Sequence, residues 1–113
     1  MSVTVEHVEP HAGAALIGEG AVLLDVRNDD EWATGHAPGA RHLPLPELAT
    51  RHAELPTDRR LVVICRSGGR SAVAVEALVS AGYDAVNLAG GMQAWTAAGL
   101  GCVTDSGAPG TVA

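Results

Sequence analysis

The fold of this chain is decided by residues 61–71, which read LVVICRSGGRS. The apolar run 61–64 predicts a short strand that is covered on both faces, as in parallel sheets. Residues 71–81 then predict a helix, because their apolar positions share one helical face and Gly82 is a natural C-terminal stop. Cys65 therefore lies where a strand ends and a helix is about to begin.

The loop after this strand has the composition of an anion-binding site. Gly68 and Gly69 can adopt positive φ, and the backbone N–H groups of such a turn, with a helix N-terminus behind them, attract negative charge. Arg66 and Arg70 add positive charge, and such surroundings lower the pKa of a thiol. Cys65 is therefore predicted to be a catalytic nucleophile, although it could also be a small buried residue ending a core strand. The predicted substrate-binding loop comprises Arg66, Ser67, Gly68, Gly69, Arg70 and Ser71.

The rest of the chain alternates between strand and helix patterns. We expect strands at residues 3–5, 22–26, 40–43 and 85–88, and helices at residues 10–18, 28–34, 47–55 and 91–99. Alternation of this kind is typical of a single α/β domain, with a parallel sheet flanked by helices on both faces and sites at the carboxyl ends of strands. We assign the domain to residues 1–100. Residues 101–113 are small, polar and turn-rich, so we expect a flexible tail.

A carboxylate interrupts the second apolar run and indicates a supporting role near the loop. A buried Asp25 needs hydrogen-bond donors, so we expect it either to brace adjacent backbone or to pair with Arg27. The alternative is that Asp25 is a turn carboxylate that simply ends the strand. We expect a second ion pair between Arg27 and Glu31, and Trp32 should form the buried face of the helical turn that follows. The acidic cluster 28–31 fits a helix N-terminus without any metal, since no His-Cys ligand spacing accompanies it.

Composition excludes several functional classes. The net charge is -6, and only 7 of 113 residues are Lys or Arg, which argues against binding nucleic acid or an anionic membrane. No apolar run approaches the ~18 residues of a membrane span, and no leader pattern is present at Met1. A disulfide between the two cysteines would consume Cys65, so a reducing cytoplasm is the expected location.

Several segments resemble the recurring motifs of the rhodanese family, in the family's order. They are Cys65 to Arg70 with Gly68 in fourth place, Asp25-Val26-Arg27, Glu31-Trp32, residues 35–40, and residues 88–92 through Trp95. The likeness runs from about Val3 to Leu100. It implies a sulfurtransferase without a cofactor or metal, in which Cys65 forms a persulfide. The implied partners are a small sulfur-donor anion such as thiosulfate and a thiol or cyanide-type acceptor, with an acceptor protein left open.

Two other functions compete with this interpretation. The domain could carry sulfur or bind a partner without turnover, or it could act as a phosphatase or arsenate reductase on a tetrahedral oxyanion. Four residues separate Cys65 from Arg70, whereas the phosphatase-like relatives are understood to have five, so loop length favours sulfur transfer. His36 is not expected to be a general base, because the loop can activate the thiol unaided. Cys102 is either a resolving thiol or, as we favour, incidental.

Overall fold

The computed structural model describes residues 3–113, so residues 1 and 2 of the expected domain lie outside the described range. A five-stranded sheet organises the chain, its strands all parallel and in the order β1-β5-β4-β2-β3. Because all five strands are parallel, their carboxyl ends meet at one edge of the sheet. The strands are β1 (His7–Val8), β2 (Val22–Asp25), β3 (Arg41–His42), β4 (Leu61–Ile64) and β5 (Ala85–Leu88).

The helices lie where the sequence patterns predict them. They are α1 (Pro10–Gly18), α2 (Asp29–Thr34), α3 (Leu48–Arg51), α4 (Gly69–Ser80) and α5 (Gly91–Ala97). The connector expected at residues 47–55 is less regular than a single helix, since 3-10 turns at Leu45–Glu47 and His52–Glu54 flank the single turn of α3. None of the helices in residues 3–113 is both long and apolar enough to cross a membrane.

Two apolar clusters cover the two faces of the sheet. In β4, Leu61 and Val63 face the cluster that includes α3 and α4, whereas Val62 and Ile64 face the cluster that includes α1 and α5. The side-chain period of two along a strand produces this division, and the continuous apolar run is therefore buried on both sides. Trp95 on α5 is a core residue, as expected. The predicted α/β fold with helices on both faces is confirmed.

The first strand lies later in the chain than its alternating pattern indicates. Residues 3–5 are not in a strand, and the pairing partner of Asn87 on β5 is His7. In this register residues 3 and 4 lie beyond the amino end of β5 and have no strand to pair with. The expectation of an edge strand at residues 3–5 is therefore wrong, although Val5 still packs against the core.

The C-terminal segment 101–113 packs against the domain, contrary to the flexible tail that we expected. Val103 and His36 exchange two backbone hydrogen bonds of 2.8 Å, and the Thr111 amide donates to the Thr34 carbonyl at 2.9 Å. Val112 contacts the apolar cluster beside α5. The turn-rich residues form a short segment that folds back on the domain, because backbone groups of this segment form hydrogen bonds at the end of α2.

Candidate active site

The thiol of Cys65 lies directly after β4 and beneath the first turn of α4. Its residue is 1% exposed, and the Gly68 amide donates to its Sγ at 3.1 Å. Gly68 has φ +109°, a left-handed conformation that folds the loop back over the sulfur and that glycine adopts without steric cost. The predicted strand-loop-helix arrangement of Cys65 is thus present.

The start of α5 holds the other side of the loop. The Met92 amide donates to the Cys65 carbonyl at 2.7 Å, and the Gln93 amide donates to the Arg66 carbonyl at 3.1 Å. Gly91 allows this approach, because a Cβ there would lie 2.6 Å from the Arg66 carbonyl carbon. The loop is therefore held between two helix N-termini, both of which place partial positive charge at the carboxyl edge of the sheet.

The loop favours the thiolate form of Cys65. Burial opposes ionisation, but it is outweighed by hydrogen bonds from the Ser71 hydroxyl and from the amides of Ser71, Gly68 and Ser67. The pKa of Cys65 consequently lies below its usual value. Hydrogen bonding to the charged form is the physical cause of this lowered pKa.

Arg70 is clamped by a carboxylate on α2. Its Nη1 and Nη2 donate to the two carboxylate oxygens of Glu31 at 2.6 and 2.8 Å. Glu31 also accepts the Asn28 amide at 3.1 Å as part of a capping box at the start of α2. The Arg70 guanidinium and the Asn28 amide hold the pKa of Glu31 at about 2, against 4.5 ordinarily.

The expected ion pair between Arg27 and Glu31 is wrong. Arg27 instead forms a fully buried pair with Asp25, whose carboxylate accepts its Nε at 3.0 Å and its Nη2 at 2.8 Å. Arg27 Nη2 also donates to the Gly35 carbonyl at 2.7 Å. Asp25 thus does both things that were expected of it, because it pairs with the Arg27 side chain and also accepts the Arg27 backbone amide at 2.9 Å. Through the bond from Arg27 to Gly35, the pair braces the end of α2, whose Glu31 binds Arg70.

The remaining loop residues differ in exposure and in backbone conformation. Arg66 and Ser67 are exposed, and Arg66 Nε donates to the main-chain oxygen of Ala113 at 2.7 Å. Gly69 is the first residue of α4 and does not adopt positive φ, so the expectation that both glycines curl the loop holds for Gly68 alone.

The two histidines, the tryptophan and the second cysteine outside the loop make packing or hydrogen-bond contacts with their own neighbours. His36 stacks on Trp32 with ring centroids 3.6 Å apart, and its Nε2 bonds to Asp105 at 2.9 Å. His42 stacks on the same indole at 4.7 Å. Trp32 is only half-buried, so its expected role as a buried face is replaced by stacking between imidazoles. Cys102 is partly buried, and this burial raises its pKa.

Asn87 is a site residue that the sequence patterns did not predict. Its Oδ1 lies 2.5 Å from the Ser71 Oγ, which is itself 3.2 Å from the Cys65 Sγ. The sequence does contain a signal that could have identified it. Asn87 is the one polar residue in the apolar strand 85–88, as Asp25 is in the run 22–26. Within residues 3–113, no group of three His, Cys, Asp or Glu side chains has the arrangement of a metal site.

Comparison with known proteins agrees with this architecture. A family model described as the rhodanese-like domain matches residues 9–98, and the chain belongs to that family. A protein of Allochromatium vinosum named sulfurtransferase is 42% identical over 90 residues, which cover 79% of this chain and 84% of the relative.

Two solved structures show the same fold. A rhodanese-related protein from Thermoplasma volcanium aligns with a TM-score of 0.83 and 31% identity, over 88% of this chain and 99% of that one. A thiosulfate sulfurtransferase from Pseudomonas aeruginosa aligns with a TM-score of 0.81 and 30% identity, over 96% of this chain. That alignment spans 22% of the Pseudomonas chain, so this chain resembles one part of a longer protein.

Proposed function

We propose that this chain is a sulfurtransferase that moves sulfane sulfur from a donor such as thiosulfate to a thiol or cyanide-type acceptor. The observation that carries the proposal is the Cys65 thiol, with its lowered pKa and the Gly68 amide 3.1 Å from its sulfur. The relatives named sulfurtransferase and thiosulfate sulfurtransferase support the reaction class.

In the first half-reaction, the Cys65 thiolate attacks the outer sulfur of thiosulfate. A new S–S bond forms at Sγ, the S–S bond of the donor breaks, and sulfite leaves with its electron pair. The product is a persulfide whose terminal sulfur carries the negative charge. We expect the loop amides, of which that of Gly68 donates to the Cys65 Sγ at 3.1 Å, to stabilise that charge, and exposed Arg66 compensates the dianion as it approaches.

In the second half-reaction, the acceptor attacks the terminal sulfur and the Cys65 thiolate leaves. A thiolate acceptor gains a persulfide, and cyanide gains sulfur as thiocyanate, so no redox cofactor is required. Arg70 contributes mainly by shaping the loop, because Glu31 already occupies its Nη1 and Nη2. Asp25 and Arg27 act further away, as supports of α2.

The six-residue loop also favours sulfur over phosphate. In a turn this short the backbone N–H groups converge close to Sγ, so one terminal sulfur fits at their focus. A tetrahedral phosphate would have to push its oxygens into the same amides. We therefore expect negligible hydrolysis of an aryl phosphate.

Intact-mass analysis after treatment with thiosulfate tests the proposal. We expect one added sulfur atom on the parent and on Cys102→Ser, and none on Cys65→Ser. Subsequent addition of cyanide should remove the sulfur and release thiocyanate. Sulfur uptake from a low-molecular-weight persulfide but not from thiosulfate would instead indicate a sulfur carrier, and aryl phosphate hydrolysis without sulfur uptake would refute sulfur transfer altogether.

A further inference from the structure

A buried hydrogen-bond network connects Cys65 to β5 through Ser71. The Ser71 Oγ lies 3.2 Å from the Cys65 Sγ and 2.5 Å from the Asn87 Oδ1. Ser71 is fully buried and Asn87 is 2% exposed, so water does not compete for these contacts. A hydroxyl has one proton to donate, and here two acceptors flank it.

The orientation of the Asn87 amide decides which acceptor receives the proton. Its Nδ2 lies 3.2 Å from the Gly68 carbonyl oxygen and 3.0 Å from His7 Nδ1. A carbonyl can only accept, so the nitrogen end of the amide must face Gly68 and the oxygen end must face Ser71.

Two oxygens 2.5 Å apart need a proton between them, and the amide oxygen of Asn87 has none. The Ser71 proton therefore points toward Asn87 in the resting state. The free lone pairs of the Ser71 Oγ then face Cys65, where they can accept a hydrogen bond from the neutral thiol but cannot stabilise a thiolate.

We propose that Asn87 is a positioning residue that holds the Ser71 proton away from Cys65 and so favours the neutral thiol over the thiolate. Ionisation of Cys65 then requires the hydroxyl to turn from Asn87 toward the sulfur, where it joins the Gly68 amide as a second donor. The favourable effect of Ser71 on the thiolate is thus realised only after this rotation. The inference rests on the proposed function in that it concerns how the nucleophile is generated.

The charged groups around Cys65 stay in place when Asn87 is replaced. Arg70, at the start of α4, interacts electrostatically with Cys65, and Glu31 of α2 faces Arg70. The Asp25 carboxylate, at the end of β2, also interacts electrostatically with Arg70. Since Asn87 is neutral, its replacement by an apolar residue leaves these charges unchanged. The replacement also removes the contacts of Asn87 Nδ2 with the Gly68 carbonyl and His7, so a comparison in a background without the Ser71 hydroxyl is needed to isolate the effect of the Ser71 proton.

The test measures the pKa of the Cys65 thiol from the pH dependence of its alkylation by iodoacetamide, followed by intact mass. All variants carry Cys102→Ser, so that one thiol reports. Asn87→Leu keeps the approximate shape of the side chain but cannot accept a hydrogen bond, and the Gly68 carbonyl retains its bond from the Ala72 amide. We expect the thiol pKa to fall by about half to one unit, which is about three- to tenfold faster alkylation below that pKa.

A double-mutant cycle distinguishes this role from a merely structural one. In a Ser71→Ala background, Asn87→Leu should leave the thiol pKa unchanged, because no hydroxyl remains to be released. An unchanged or raised pKa in Asn87→Leu, or an equal fall in the Ser71→Ala background, would overturn the proposal. Asn87→Ala serves as a second variant if circular dichroism shows that Asn87→Leu does not fold.

The measurement uses no sulfur donor, so its outcome is independent of turnover. If the thiol pKa falls as expected but thiosulfate adds no sulfur, the positioning role of Asn87 stands and the proposed sulfur transfer fails. If sulfur is transferred but the pKa does not fall, only the inference about Asn87 is wrong.

Discussion

Replacing Glu31 by Gln tests the clamp between α2 and the loop. Gln preserves the shape of the side chain and the hydrogen bond to the Asn28 amide, but it removes the charge that faces Arg70. The variant therefore separates the ion pair from the capping box. We expect the full loss of stability above about pH 5 and a loss that shrinks as the pH falls toward 2.

The magnitude follows from the lowered pKa of Glu31. A change from 4.5 to about 2 corresponds to ~3 kcal/mol of free energy of unfolding at neutral pH. The Arg70 side chain is 35% exposed and that of Glu31 is 14% exposed, so solvent screens part of the interaction. We expect about 1–2 kcal/mol after this discount.

The sign of the pH dependence is determined by the same values. The folded-state pKa of Glu31 lies below its unfolded value, so the stabilisation is complete above about pH 5 and is lost as the pH falls toward 2. Urea denaturation at pH 7 and at pH 2.5 measures it. The difference in free energy of unfolding between the parent and Glu31→Gln should be markedly smaller at the lower pH.

The control for Glu31→Gln is Asp30→Asn, which removes the same charge from an exposed position in the same helical turn. It should cost less than about 0.5 kcal/mol. The reasoning would be refuted if Glu31→Gln lowered the free energy of unfolding by the same amount at both pH values. It would also be refuted if the loss at pH 7 were no larger than that of Asp30→Asn.

Three further predictions concern the loop and the thiols. Cys65→Ser should abolish thiosulfate-dependent thiocyanate formation and Cys102→Ser should retain it, and equal loss in both would show that Cys102 takes part. Arg66→Ala should raise KM for thiosulfate about three- to tenfold in steady-state kinetics, since an exposed charge contributes about 1 kcal/mol to binding an anion. An unchanged KM would contradict this prediction. Gly68→Ala should lower the free energy of unfolding by about 1–2 kcal/mol, because φ at Gly68 is +109°. Gly69→Ala should not lower it, because Gly69 is helical and a Cβ there meets no neighbouring atom. Equal losses of stability for the two variants in urea denaturation would contradict this prediction.

The sequence by itself determined the α/β alternation and the place of Cys65 at the end of β4. Both depend on local patterns: the period of two along strands, the helical period of α4, and the spacing from Cys65 to Arg70. These patterns act over a few residues, so they can be recognised without knowing how distant segments meet. The partner that Asp25 required was also predictable, because Arg27 lies two residues away.

Only the tertiary structure decided which groups surround the loop. Glu31 reaches Arg70 across 39 residues of sequence, and Asn87 reaches Ser71 across 16, because the strand order brings α2 and β5 to the same edge. The packing of residues 101–113 onto the end of α2 is of the same kind, since its turn-rich composition is equally compatible with a frayed end. Contacts of this range depend on register and strand order, which no local pattern specifies.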